Sequence, residues 1–210
     1  MTSSLQNVLQ VVADALLYPD IIALLLFMLL AVWQIGDFVA ELFTERRKLK
    51  ADVPDLLTQI SGRGKIEVIE TMDGSGLLAR HKHVLHRIFD PEHQSRTARL
   101  ALAERVLASE EKYYSKSTVV TDLVAKLGPM AGLLGTLIPL GPGIIALSNG
   151  DTATLADSLG VAFNTTIAGV ASSSVCYVIS HIRKRWYSDY MVTLETLTES
   201  IMEEVCLNEK

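Results

Sequence analysis

Polar and apolar positions fall into blocks along this chain instead of alternating through it. Three apolar runs stand out: Ile21 to Phe43, Leu127 to Gly150, and Ser158 to Ser180. A helix rises about 1.5 Å per residue and the hydrocarbon core of a bilayer is about 30 Å thick, so some twenty apolar residues suffice to cross it. The pattern therefore predicts three transmembrane helices, over 21–43, 127–150 and 158–180. The first contains Asp37 and Glu41, one turn apart, which places them near one interface.

The flanking pattern is different. Leu5, Val8, Leu9, Val12 and Leu16 recur at helical spacing, predicting an amphipathic helix over residues 1–20 that lies on the outer interface. Pro19 is expected to break it from the first span. Residues 44–126 are mostly polar, with turn signals in SGRGK (Ser61 to Lys65) and DGSG (Asp73 to Gly76). From Pro91 onward the segment is rich in helix formers, with Leu100, Val106, Leu107, Tyr114 and Leu123 as core positions. Nothing between Ser95 and Leu127 stops a helix, so one long helix is expected to run into the second span. Residues 151–157 form a short outer link. Residues 181–210 predict a further helix with Tyr190, Leu194, Leu197, Ile201 and Val205 on one face. The fold class expected is all-α: three transmembrane helices, with long helices extending into a cytoplasmic helical bundle.

Composition sharpens this picture. A length of 210 residues fits one ordinary soluble domain. The 49% apolar content and positive mean hydropathy, gathered into blocks, point to spans instead. A net charge of −5 gives no sign of bulk nucleic-acid binding. Residues 1–20 contain no Lys or Arg, so a basic leader region is missing and the first span is expected to stay as an anchor. Cys176 and Cys206 lie far apart without metal-ligand spacing, and no disulfide is expected.

Charge distribution sets the direction. ERRKLK follows the first span, Lys126 precedes the second and HIRKR follows the third. Asp14 and Asp20 precede the first span, and Asp151 and Asp157 lie in the link between the other two. Basic residues mark cytoplasmic loops, so the N-terminus is expected outside and the C-terminus inside a cell (inner, cytoplasmic) membrane.

Candidate chemistry is sparse. Gly128, Gly132 and Gly135 share one helical face, where small residues let backbones approach closely in lipid. Pro129, Pro139 and Pro142 predict irregularities in the second span. Thr136 and Thr166 each lie near mid-span, and Asn164 and Thr165 adjoin the latter. A threonine there often bonds its own helix backbone, but an asparagine at that depth is costly unless it faces protein or water. One side of spans two and three is therefore expected to line a polar interior. Neither span contains Asp, Glu, His, Lys or Arg, so a titrating carboxylate must come from elsewhere. Asp37 either sits at the inner interface with Glu41 or serves as a cytoplasmic proton exit. His81, His83 and His86 are interleaved with Arg80, Lys82 and Arg87, which disfavours a metal site. No catalytic arrangement or phosphate loop is evident, and no enzyme, metal or organic cofactor is expected.

These residues resemble the MotA/TolQ/ExbB proton-channel family. Pro129, Gly132, Leu133, Gly135 and Thr136 reproduce its Pro-x-x-Gly-Leu-x-Gly-Thr pattern, and Thr165, Thr166 and Gly169 fit its small-Thr-x-x-Gly pattern. Three spans and modest length look like the short TolQ/ExbB branch. Two positions depart from the pattern: Val161 stands where some ExbB-type members carry an acid, and Pro139 where glycine is common. The resemblance implies a homopentamer around single-span helices of an ExbD/TolR/MotB-like partner, whose membrane aspartate carries the proton. Thr136 and Thr166 would ring the lumen, Gly169 would join the packing glycines, and proton-motive force would drive the partner. Protons are the ion expected, with sodium the alternative. On the residues by themselves, a membrane scaffold recruiting cytoplasmic partners and a self-sufficient pore stay open.

Overall fold

A computed structural model describes residues 2–43, 53–60, 65–89 and 96–208. Among these residues the chain is helical apart from the connections at 75–78 and 149–151, and contains no strand. Six helices follow in order: α1 (Thr2–Glu41), α2 (Val53–Ile60), α3 (Lys65–Gly74), α4 (Ala79–Phe89), α5 (Arg96–Ser148) and α6 (Thr152–Asn208). Three of them carry segments long and apolar enough to cross a membrane, within Val8–Glu41, Thr97–Ser148 and Thr152–Glu203. The uninterrupted helix expected from Ser95 into the second apolar run is present as α5. At 53 residues it is about 80 Å long, well beyond one hydrocarbon layer.

The break expected at Pro19 is corrected: α1 runs through it without interruption. Proline removes the N–H that would bond the Ala15 carbonyl, a single lost bond. Ending the helix there would strand further backbone groups among apolar side chains, a larger cost. For the same reason α5 stays helical through Pro129, Pro139 and Pro142.

The chain divides into two compact units. The first comprises Met1–Phe38 and Val119–His181. Its interior mixes polar side chains with apolar ones, and its exterior is largely apolar. Asp20, Gln34, Thr121, Thr165, Ser172, Ser173 and Ser180 are buried, whereas Ile22, Leu29, Trp33, Met130, Leu137, Phe163 and Ile167 are exposed. That inversion suits a unit whose solvent is lipid, where helix contact comes from small residues and polar bonds. A small apolar cluster of Phe27, Ala31, Val124 and Cys176 joins the three helices.

The buried face of α1 has a strict spacing: Asp20, Leu24, Phe27, Ala31 and Gln34, alternating steps of four and three. That is the seam of a helix packed along its length. Leu5, Val8, Leu9, Val12 and Leu16, the stripe expected to define the interfacial helix, are all exposed.

The second unit, Val39–Thr118 and Ile182–Lys210, is built like a water-soluble domain. Its core takes Leu56 and Ile60 from α2, Val68 and Met72 from α3, and Val84, Leu85, Ile88 and Phe89 from α4. Ala103 and Val106 from α5 and Leu194, Leu197 and Ile201 from α6 complete it. Of the core positions expected on α5, Val106 and Tyr114 are buried and Leu107 packs against the core. Leu100 and Leu123 are exposed. The face expected on α6 is buried at Tyr190, Leu194, Leu197 and Ile201, and the side chain of Val205 lies outside the described residues. The turn at Asp73–Gly76 ends α3, with the Ser75 amide bonded to the Met72 carbonyl at 3.2 Å. Ser61–Gly64, the first four residues of the other expected turn, also lie outside the described residues.

Candidate functional site

The α5–α6 turn fixes how the two helices meet. α5 ends at Ser148, Gly150 takes a left-handed conformation (φ 80°), and the Asp151 amide returns to the Ala146 carbonyl at 3.0 Å. Asp151 then caps α6. Its carboxylate accepts from the Thr154 amide at 3.0 Å and from the Thr154 hydroxyl at 2.5 Å. Those hydrogen bonds, the hydroxyl's first, hold the Asp151 carboxyl below the usual carboxylate range.

From this turn the helices run antiparallel in one register. Gly143 lies opposite Ser158, Gly135 opposite Thr165, Gly132 opposite Gly169 and Gly128 opposite Ser173. Ser180 donates a short hydrogen bond to Asp122 at the other end. The glycines set the separation. A Cβ built on Gly169 would stand 2.5 Å from the Gly128 carbonyl oxygen and 2.9 Å from the Gly132 Cα. One built on Gly128 would stand 2.9 Å from the Gly169 carbonyl oxygen. Gly128, Gly132 and Gly169 thus meet within one chain, backbone against backbone, and Gly135 packs on the side chains of Thr165 and Asp20.

The hydroxyls at this crossing are turned toward their own helix. Thr136 donates to the Leu133 carbonyl at 2.7 Å and Thr166 to the Ala162 carbonyl at 3.0 Å. Thr165 is buried, its hydroxyl lying 2.9 Å from the Ala162 carbonyl and 3.0 Å from that of Val161. The Thr166 backbone adjoins Gly132, one turn from Thr136, so both threonines belong to one level of the crossing. Thr136 and Thr166 are half-buried, and Asn164 is exposed on the surface of the single chain. Asp37 is exposed and lies about 25 Å further along α1 than Asp20. Pro139 is buried, while Pro129 and Pro142 are exposed.

One residue in this region was not legible as a site. Asp20, expected on the outer flank, is 7% exposed and lies against Gly135 and Thr165. A Cβ on Gly135 would meet Thr165 Oγ1 at 2.8 Å and Asp20 Oδ2 at 2.9 Å. Asp20 is therefore level with segments read as spans two and three, which corrects its assignment to the flank. Its place in the step-four, step-three spacing of α1 was the available signal, hidden by the break expected at Pro19.

The acid at the other end of α1 has partners in the second unit. Glu41 accepts from Arg183 Nε at 2.7 Å and from the Tyr187 hydroxyl at 2.8 Å. Arg183 is 1% exposed. The three histidines of α4 occupy separate environments. His81 is buried edge-on against Tyr190, His86 lies 2.9 Å from Asp73 Oδ1, and His83 is exposed.

No curated protein matches the chain significantly. A family model described as the MotA/TolQ/ExbB proton channel family matches residues 70–196, which take in α4, all of α5 and most of α6. That match spans more than half of the sequence and covers the glycine crossing and all its threonines, so this three-span membrane protein belongs to the MotA/TolQ/ExbB proton channel family.

Proposed function

We propose that this chain is the ring-forming subunit of a proton-driven motor, closest to the TolQ/ExbB branch. Five copies surround the single-span helices of an ExbD/TolR/MotB-like partner that carries a membrane aspartate. The N-terminus faces outward and the second unit lies in the cytoplasm, where the basic residues are. Protons are the coupling ion, sodium being the alternative, and their flow moves the partner against the ring.

The observation that carries this reading is the exposure of Asn164. It lies in a segment free of charged side chains, on a surface shared with Gly160, Ile167, Ala171 and Ser174, all exposed in the single chain. An amide facing lipid would be costly, so this stripe needs a protein or a wet lumen opposite it. Thr136 and Thr166, half-exposed at one level, supply hydroxyls to the lumen, while the Asn164 stripe, about 160° away round α6, faces a neighbouring copy in the ring. Thr165, buried between helices, belongs to the wall instead of the lining.

The test is the paired substitution Thr136→Val and Thr166→Val, which keeps shape and removes both hydroxyls. Proton flux through the ring reconstituted with its co-purified partner is expected to fall while assembly persists. Unchanged flux in the double variant would overturn the lining role. Failure to co-purify any single-span protein with a membrane aspartate would overturn the motor reading.

A further inference from the structure

Asp20 is a carboxylate without a cation. It is more than nine-tenths buried, and its Oδ2 is sealed from solvent with no hydrogen-bond partner among the described residues. Among the described residues, α5 and α6 each bring a residue against it. α5 presents Gly135, and has no Asp, Glu, His, Lys or Arg between Lys126 and its end at Ser148. α6 presents Thr165, and between Asp157 and His181 its only titratable groups are Cys176 and Tyr177. On α1 the nearest charged residues are Asp14 and Asp37, both acids and both exposed. Among the described residues, nothing on these stretches of α1, α5 and α6 neutralises a negative charge.

Thr165 makes the chemistry directional. Its hydroxyl proton is already donated to the Ala162 and Val161 carbonyls, so the oxygen presents lone pairs to whatever lies beyond. Residue 139 is proline and cannot donate to the Gly135 carbonyl, which leaves another acceptor on α5 at this point. An ionised Asp20 would set its lone pairs against acceptors in a dry site. A protonated Asp20 has the O–H that such acceptors call for. The Gly135 position admits this because any side chain there would collide with both Asp20 and Thr165.

We propose that Asp20, packed on Gly135 and Thr165, is a proton-binding site belonging to this chain, within the wall of the ring and separate from the partner's aspartate. It holds its proton at neutral pH and gives it up only when the α1–α5–α6 contact opens to water. As a step in transport the inference rests on the motor reading above; as a binding site it stands on the chain itself.

The experiment is infrared spectroscopy of the full-length chain in lipid nanodiscs, with and without aspartate labelled at the carboxyl carbon. A protonated-carboxyl band at neutral pH is expected, shifted by the label, lost in Asp20→Asn and retained in Asp37→Asn. If no such band appears, or if it survives Asp20→Asn, the site is overturned. Should Asp20→Asn fail to insert, carbon NMR of the labelled wild-type chain decides. A carboxyl resonance that stays in the protonated range at neutral pH and moves only at alkaline pH supports the site, and its absence overturns it. Flux through the complex with its partner separates the two ideas. No flux in the wild type defeats the motor reading and leaves the band to be judged alone. Flux in the wild type that is unaltered in Asp20→Asn overturns Asp20 as a step in transport.

Discussion

Gly169 faces Gly128 so closely that a methyl group on the first would lie 2.5 Å from the carbonyl oxygen of the second. The obstruction is backbone and cannot rotate away. Gly169→Ala must therefore push α5 off α6, at a cost of about 1–3 kcal/mol typical of overpacking. Gly160→Ala is the control, because nothing lies within 4 Å of its Cβ position. Unfolding in detergent is expected to show a lower midpoint for the first variant and an unchanged or slightly higher one for the second, because Ala favours the helix over Gly. Equal midpoints would refute the close crossing.

The turn joining these helices depends on a different glycine. Gly150 has open space around it, but its φ of 80° is costly for any residue with a Cβ. Gly150→Ala is expected to lose about 1–2 kcal/mol. Gly141→Ala, in open space without positive φ, is expected to be neutral or to gain up to about 1 kcal/mol. The same unfolding measurement checks both, and a neutral Gly150→Ala would mean that the turn relaxes.

Arg183 and Glu41 form a pair whose guanidinium is almost wholly buried. Such a pair contributes little against an apolar replacement of both residues, but removing one member takes the opposite charge away from a buried partner. Glu41→Ala is expected to destabilise the second unit by about 3–5 kcal/mol. Tyr187→Phe removes one hydroxyl bonded to Glu41 and to Ser117, and is expected to cost about 1 kcal/mol. Denaturant unfolding followed by near-ultraviolet circular dichroism would order the two variants. A loss for Glu41→Ala no larger than for Tyr187→Phe would contradict the buried-charge account.

The three apolar helices and the unbroken course of α5 were legible because block hydrophobicity and the lack of stop signals are local properties. The glycine and threonine motif was legible for a similar reason, since each residue's neighbours within its own span are fixed by the helical repeat. Asp20 was not. A proline beside it is the usual mark of a helix end, and only tertiary packing shows that α1 continues. Thr165 and Thr166 look alike in sequence, yet one is sealed against α5 and Asp20 and the other is half-open. The histidines of α4 show the same limit: spacing puts them close in sequence, and packing gives each a separate environment.

His81 supplies the pH dependence expected of the second unit. Its ring is fully buried against Tyr190, and neither nitrogen has a hydrogen-bond partner among the described residues. Burial first, and the neighbouring Arg80 charge second, lower its pKa from 6.5 to about 4. The folded unit thus keeps His81 neutral while the unfolded chain binds a proton below pH 6.5. Stability from this group is complete above that pH, declines as pH falls, and is exhausted near pH 4. The full effect is at most about 3 kcal/mol. His81→Phe keeps a ring against Tyr190 and removes the titration. Thermal unfolding between pH 7 and pH 4 is expected to show a steeper loss in the wild type than in the variant. Parallel profiles would mean that His81 is protonated in the folded state and has found a partner.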